Sequence, residues 1–318
     1  MRRYSRLISL KEIGEEGHKI IRDKNIAIIG LGALGTVAAD LLIRNGIGNL
    51  LLIDRDIIEE SNLTRQALFY EEDVGRSKVY AAKEKLSKIN RKCRITAKPI
   101  DLNPENASIL KEADLILDCT DNLETRYLIN DFCRKEKIIW IFASAIKTSG
   151  YIMPIFPEGP CLNCWLKEKI SSETCRITGV LNTITYSIAA LQVNLALKAL
   201  LQEKIESELL NLDIWNPKLT KIAVKIRENC PTCNGIYLYL NQKKSVLLKF
   251  CGGNKYQING KVKNREEIEQ NWKKIGKVIK EEHSLSFKNI ILYDDGRALI
   301  EAESEKEAKA IYSKFVGN

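Results

Sequence analysis

Four of the nine cysteines stand in two pairs, Cys161-x-x-Cys164 and Cys230-x-x-Cys233. Each pair offers two thiolates from one tight turn, and a tetrahedral zinc ion takes four. The pairs therefore predict a closed, structural Zn²⁺ site stapling segments about 65 residues apart. A redox role is the alternative, and the presence of two pairs argues against it. A second constellation is Gly30-x-Gly32-x-x-Gly35, which follows the apolar run NIAIIG and opens a helical stretch. Such glycines let backbone approach phosphate, and the helix start supplies free N–H groups and a positive dipole end. Asp54 ends the next apolar run, where a carboxylate can take ribose hydroxyls. This pattern alone serves NAD and ATP equally. Two downstream cations, Arg65 and Lys78, bear on the choice. A triphosphate under attack gathers charge on the leaving pyrophosphate and needs cations there. Taken singly, each cation reads as a surface residue. Asp118-Cys119-Thr120-Asp121-Asn122 ends another apolar run. Asp121 there suits Mg²⁺ on triphosphate oxygens, with a helix N-cap as its alternative role.

The elements that must position these groups follow from periodicity. Apolar runs at 25–30, 49–54, 94–100, 114–122 and 138–144 read as strands. Helical stretches follow from the glycine loop (30–35) to Asn45 and at 77–89, 105–112 and 123–135. The alternation predicts an α/β fold, a doubly wound, Rossmann-like, mostly parallel sheet. A strand at 151–156, an irregular cysteine-rich segment at 157–180, a helix at 182–201 and a hairpin about Pro217 come next. Residues 1–234 read as one domain carrying nucleotide and zinc sites, and 235–318 as a small α+β module. In that module Asn264 caps a helix with Ile268, Trp272, Ile275 and Ile279 on one face. Asp294-Asp295-Gly296 marks a hairpin, and Ser304-x-x-Glu307 a capping box. Cys93, Cys119 and Cys133 read as core; His18 and His283 read as surface residues. Cys251 has no assigned role.

Composition narrows the classes. The chain is 45% apolar and 29% charged, with net charge +9, as expected of a soluble globular protein. The longest apolar stretches, 25–43 and 183–201, are interrupted by glycines or polar residues, against a membrane span. The first residues contain no apolar signal segment, so a cytoplasmic protein is expected. Residues 243–280 hold 11 basic and 3 acidic residues. They read as a solvated surface, or as a patch for an acidic protein or RNA.

RYSR (3–6), GLGALG (30–35), Asp54-x-Asp56, SNLTRQ (61–66), DVGRSK (73–78) and DCTDN (118–122) occur in one order. In that order and spacing, over roughly residues 1–233, the chain resembles the MoeB/ThiF family, prokaryotic relatives of ubiquitin-activating enzymes. The resemblance implies adenylation, with MgATP, of the C-terminal glycine of a ubiquitin-like sulfur-carrier protein ending in diglycine. It implies that Gly30, Gly32, Gly35 and Asp54 hold the nucleotide. Asn62, Arg65 and Lys78 would meet the phosphates, Gln66 and Asn122 would also line the nucleotide, and Asp121 would hold Mg²⁺. Arg6 would reach a partner subunit's site as an arginine finger, implying a homodimer. Cys175 matches the family's conjugating or sulfur-handling cysteine. A sulfurtransferase or cysteine desulfurase would then be a further partner. Rival readings are an NAD-dependent oxidoreductase, a tRNA-modifying adenylating dehydratase and a non-catalytic scaffold. The first leaves Arg65, Lys78 and DCTDN without a purpose. The zinc pairs disfavour the second, and intact Arg6, Arg65, Lys78 and Asp121 argue against the third. The tail lacks an evident rhodanese active-site loop around Cys251, departing from relatives that carry that domain.

Overall fold

The computed structural model describes residues 2–166, 179–241, 247–249, 255–260, 264–281, 284–293 and 296–317. Cys175, Cys251 and His283 lie outside them. The chain divides into two compact units, Met1–Gln242 and Lys243–Asn318.

The first unit opens with α1 (Ser5–Ile8) and α2 (Gly14–Arg22), followed by β1 (Asn25–Ile29) and α3 (Ala33–Asn45). Then come β2 (Asn49–Ile53), α4 (Lys78–Ile89), β3 (Arg94–Lys98), β4 (Leu115–Asp118) and α5 (Leu123–Glu136). It continues through β5 (Ile139–Ile146), β6 (Ser149–Ile155), α6 (Leu162–Trp165), α7 (Asn182–Leu200), β7 (Glu208–Asp213) and β8 (Lys218–Ala223). The sheet order is β3-β2-β1-β4-β5-β6-β7-β8. Strands β3 to β5 in that order pair parallel, and β5 to β8 antiparallel. The central strands are apolar between their polar end residues because both faces are covered. Side chains alternate between faces. Ile26 and Ile28 pack with α3, α4 and α7, whereas Ala27 and Ile29 pack with α5 and the cysteine-bearing segments.

Two expectations fail in this unit. Residues 105–112 form no α-helix, only a 3-10 turn over Ala107–Leu110. Asn103 and Asn106 satisfy local backbone groups there, and the chain turns instead of coiling. His18 is buried, not on the surface, with its ring centroid 4.3 Å from that of Tyr4. The two rings close over Gly46, where a β-carbon would come within 2.8 Å of Tyr4 and 2.9 Å of His18. Burial holds the His18 pKa below its usual value.

The second unit contains β9 (Leu247–Lys249), β10 (Lys255–Asn259), α8 (Arg265–Ile275) and β11 (Val278–Glu281). It ends with β12 (Ser284–Phe287), β13 (Ile290–Tyr293), β14 (Arg297–Glu301) and α9 (Glu305–Phe315). Its six described strands form one antiparallel sheet, ordered β11-β12-β13-β14-β10-β9. Asn264 and Ser304 cap the two helices, accepting from the N–H groups of Glu267 and Glu307. Trp272 stacks on Phe287 in the core, with centroids 5.2 Å apart. The expected stripe on α8 is shorter than the sequence suggested. The helix ends at Ile275, Ile279 belongs to β11, and both side chains are exposed. Gly276 breaks the helical period before Ile279 can continue it.

Candidate active site

In the order β3-β2-β1-β4-β5, the winding reverses between β1 and β4. The carboxyl ends of two neighbouring strands there leave a crevice, the usual ligand position in such sheets. Gly30 follows β1 and Cys119 follows β4, and the two chains touch. Gly30 has φ +91°, and a β-carbon on it would stand 2.6 Å from the Cys119 carbonyl oxygen. One on Gly35 would stand 1.9 Å from the Gly30 oxygen, so the helix start must close onto the strand end. Gly32 is different: a β-carbon there meets nothing within 4 Å. Its bare face lies open at the N-terminus of α3. Asp54, half-buried at the end of β2, locks this loop, its carboxylate accepting from the Leu31 N–H at 2.6 Å and the Asp56 N–H at 2.7 Å. Burial pushes its pKa up, against the pull of Lys78.

Lys78 begins α4 and is buried, with its ammonium 3.2 Å from Asp56 Oδ2. Burial works against the charge, but Asp56, Asp54 and Asp121 outweigh it, and the pKa is raised. Asp121 stands exposed between β4 and α5. The N-cap of α5 is Asn122, whose side chain accepts from the Thr125 N–H at 2.8 Å. Asp121 thus escapes capping, while the Asn122 oxygen is already engaged. Asn62 is buried in a turn, accepting from the Glu59 N–H at 3.1 Å. Arg65, partly exposed, donates to the Ser61 carbonyl at 2.8 Å. Gln66 is buried with its Oε1 lacking a hydrogen-bond partner. Arg6 is exposed on α1, while Arg3 and Tyr4 before it are pinned to Asn90 at the end of α4.

The two cysteine pairs meet. The sulfurs of Cys161, Cys164, Cys230 and Cys233 all lie within 4.8 Å of one another. Contacts of 3.4 Å (Cys161–Cys230), 3.5 Å (Cys164–Cys233) and 3.9 Å (Cys161–Cys164) surround a small common centre. Tetrahedral zinc with Zn–S bonds of about 2.3 Å separates its sulfurs by about 3.8 Å, so the four residues fit that ion. The Cys161 hydrogen bond, reinforced by Cys164 and Cys230, holds the Cys233 pKa below its usual value, whereas the same contact and burial push Cys161 up. Behind them, Thr232 donates to Asp131 at 2.7 Å and accepts from Asn163 at 2.8 Å, joining the two C-x-x-C turns to α5.

A family model, described as the ThiF family, matches residues 4–234. The chain belongs to the ThiF family. It is 33% identical to the sulfur carrier protein ThiS adenylyltransferase of Bacillus subtilis, over 99% of both chains. It is 30% identical to the SAMP-activating enzyme E1 of Haloferax volcanii, over 73% of this chain and 88% of that one. Among solved structures, Escherichia coli MccB with AMPCPP and MccA superposes with a TM-score of 0.64 at 24% identity. That match covers 73% of this chain and 74% of the other, and it shows the shared fold. The likeness to the Bacillus protein runs through the second unit as well, beyond the reach of the family model.

Residue types alone did not flag a buried polar cluster under the crevice of this ThiF-family chain. Arg126 pairs with Asp118, and Gln192 on α7 donates at 2.9 Å to the carbonyls of both Asp118 and Ile141. In the sequence Gln192 is only a polar interruption in an apolar helix; a polar residue at the centre of a buried stripe was the available signal. Asp131, Thr232 and Asn163 behind the cysteines were equally silent, being ordinary surface types until the fold buries them. Cys93, Cys119 and Cys133 are buried, as core cysteines should be.

Proposed function

We propose that this chain is an ATP-dependent adenylyltransferase acting on the C-terminal glycine carboxylate of a ubiquitin-like sulfur-carrier protein. The observation that carries the reading is the meeting of three features at one crevice: an open glycine loop, a buried but charged lysine and an uncommitted carboxylate. Gly30, Gly32, Gly35 and the start of α3 would bind the nucleotide phosphates, with Asp54 holding the loop and facing the ribose. Lys78, Arg65, Asn62 and Gln66 would neutralise or orient the triphosphate, and Asn122 would border it. Asp121 would hold Mg²⁺, which supplies further charge neutralisation on the phosphate oxygens. The carrier's carboxylate attacks the α-phosphorus, the bond to the bridging oxygen breaks, and pyrophosphate leaves with the electron pair. An acyl-adenylate remains. Such a step needs placement and charge, not a protein nucleophile.

Exposed Arg6 supports a role in a neighbouring copy's site, and hence a homodimer. Cys175 would act later, in sulfur transfer. The four clustered cysteines would hold a structural Zn²⁺ with no open coordination position. No described helix is long and apolar enough to cross a membrane. None of the described cysteines is in a disulfide, which supports a reducing, cytoplasmic setting.

ATP–pyrophosphate exchange with small diglycine-ending proteins tests the reading. Exchange with one carrier is expected, and Lys78→Ala or Asp121→Ala should each reduce it about 100-fold with the fold intact. Undiminished exchange in either variant would remove that residue from the site. ATP binding without exchange on any carrier would overturn the carrier assignment.

A further inference from the structure

Arg126 lies on α5, buried, one turn beyond the Asn122 cap. Its Nη2 donates to the Thr120 carbonyl at 2.5 Å and the Ala143 carbonyl at 3.0 Å. Its Nε lies 3.2 Å from Asp118 Oδ2. One guanidinium thus ties together the end of β4, the middle of β5 and the turn between β4 and α5. The planar, multiply donating head suits this; a lysine ammonium offers a single point. The other Asp118 oxygen accepts from both the N–H (2.9 Å) and the hydroxyl (2.7 Å) of Thr120. Residues 118–120 are therefore held at every step, and Asn122 is fixed by its own cap. Between them stands Asp121, exposed and uncapped.

We infer that Arg126 is a positioning residue: through Thr120 and Asp118 it sets the turn that presents Asp121 to the nucleotide. This rests on the reading of Asp121 as the carboxylate that serves MgATP. A buried ion pair contributes little net stability compared with an apolar pair of the same volume. Its distinctive product here is the fixed path of the chain from Asp118 to Asn122.

The test is a double-variant cycle on the full chain, reading Mg²⁺-dependent ATP binding by calorimetry and exchange by pyrophosphate incorporation. Asp121→Asn alone should weaken Mg²⁺-dependent ATP binding at least tenfold, and Arg126→Lys by a similar factor. In the Arg126→Lys background, Asp121→Asn should add less than twofold, because the carboxylate is already misplaced. Full additivity would overturn the inference, since a merely structural arginine leaves the Asp121 effect intact. Thr120→Val, which deletes only the hydroxyl bond to Asp118, gives the same cycle in a milder form if Arg126→Lys does not fold. Asp121→Asn without effect would overturn the reading of Asp121 and this inference together. Normal Asp121 dependence with additivity would overturn the inference alone.

Discussion

At Gly35 a β-carbon would collide with backbone, 1.9 Å from the Gly30 oxygen, and no flexible side chain is there to yield. At Gly32 it would enter open space. The two glycines of one motif therefore serve different ends. Gly35→Ala should cost about 3 kcal/mol and lower the melting temperature markedly. Gly32→Ala should stay within about 1 kcal/mol of the parent in stability yet weaken ATP binding about tenfold, because the added methyl occupies the bare face. Melting curves and nucleotide titrations of both variants check the contrast. Equal melting temperatures would contradict it. Cys93 gives a residue-scale pH prediction. Burial pushes its thiol up to about 12 from 9.0. Its contribution to stability is fully present below pH 9.0 and is lost as pH rises towards about 12, because the unfolded chain gives up the proton first. Denaturant midpoints of the parent and Cys93→Ala should converge over that alkaline range.

Among the elements, α5 borders both proposed sites. Its first turn carries the Asn122 cap beside Asp121, and its middle carries Asp131, which accepts from Thr232 inside the second cysteine turn. Thr232→Val should keep all four sulfurs yet weaken zinc retention about 10- to 100-fold, because the bond orienting the turn is gone. A chelator competition measures this; unchanged retention would show that the turn needs no support from α5. The same helix shows what was legible in the sequence. Its start, its apolar stripe and the neighbouring DCTDN corner are local, and periodicity and spacing expose them. Thr120 and Asp118 are near neighbours of Arg126 in the chain, but the rest of the cluster is not: Ala143 lies 17 residues away, and Gln192 reaches Asp118 across 74. No window on the chain contains such a cluster. The glycine loop, Lys78 and the cysteine pairs were readable because each is a compact motif. His18 was misread because its burial depends on Tyr4 and Gly46, which come together only after folding. Ile279 was misread because helical spacing continued on paper past Gly276, which ends the helix.

At the scale of the whole molecule, the described apolar residues gather in three clusters. Two line the opposite faces of the large sheet, and the third lies wholly within the second unit, around Trp272, Phe287 and Ile300. Each unit thus has its own core, the condition for folding by itself. Calorimetry of the full chain should resolve two transitions, and a chain ending at Gln242 should keep the one belonging to the first unit. A single transition that vanishes on truncation would show the units to be one cooperative body. Zinc removal should depress only the first unit's transition, since all four cysteines belong to it.

The division of labour between Asp121 and Asn122 also bears on how such a chain could change over generations. The residue that starts the helix and the residue proposed to serve the nucleotide are neighbours, yet only the first is used in capping. On the role proposed for Asp121, a single codon change there would silence the chemistry and leave a well-capped, folded body for selection to reuse as a regulator or scaffold. A change at Asn122 would instead be felt first as instability and removed. On that proposal, loss of catalysis lies one structurally harmless mutation from the working enzyme.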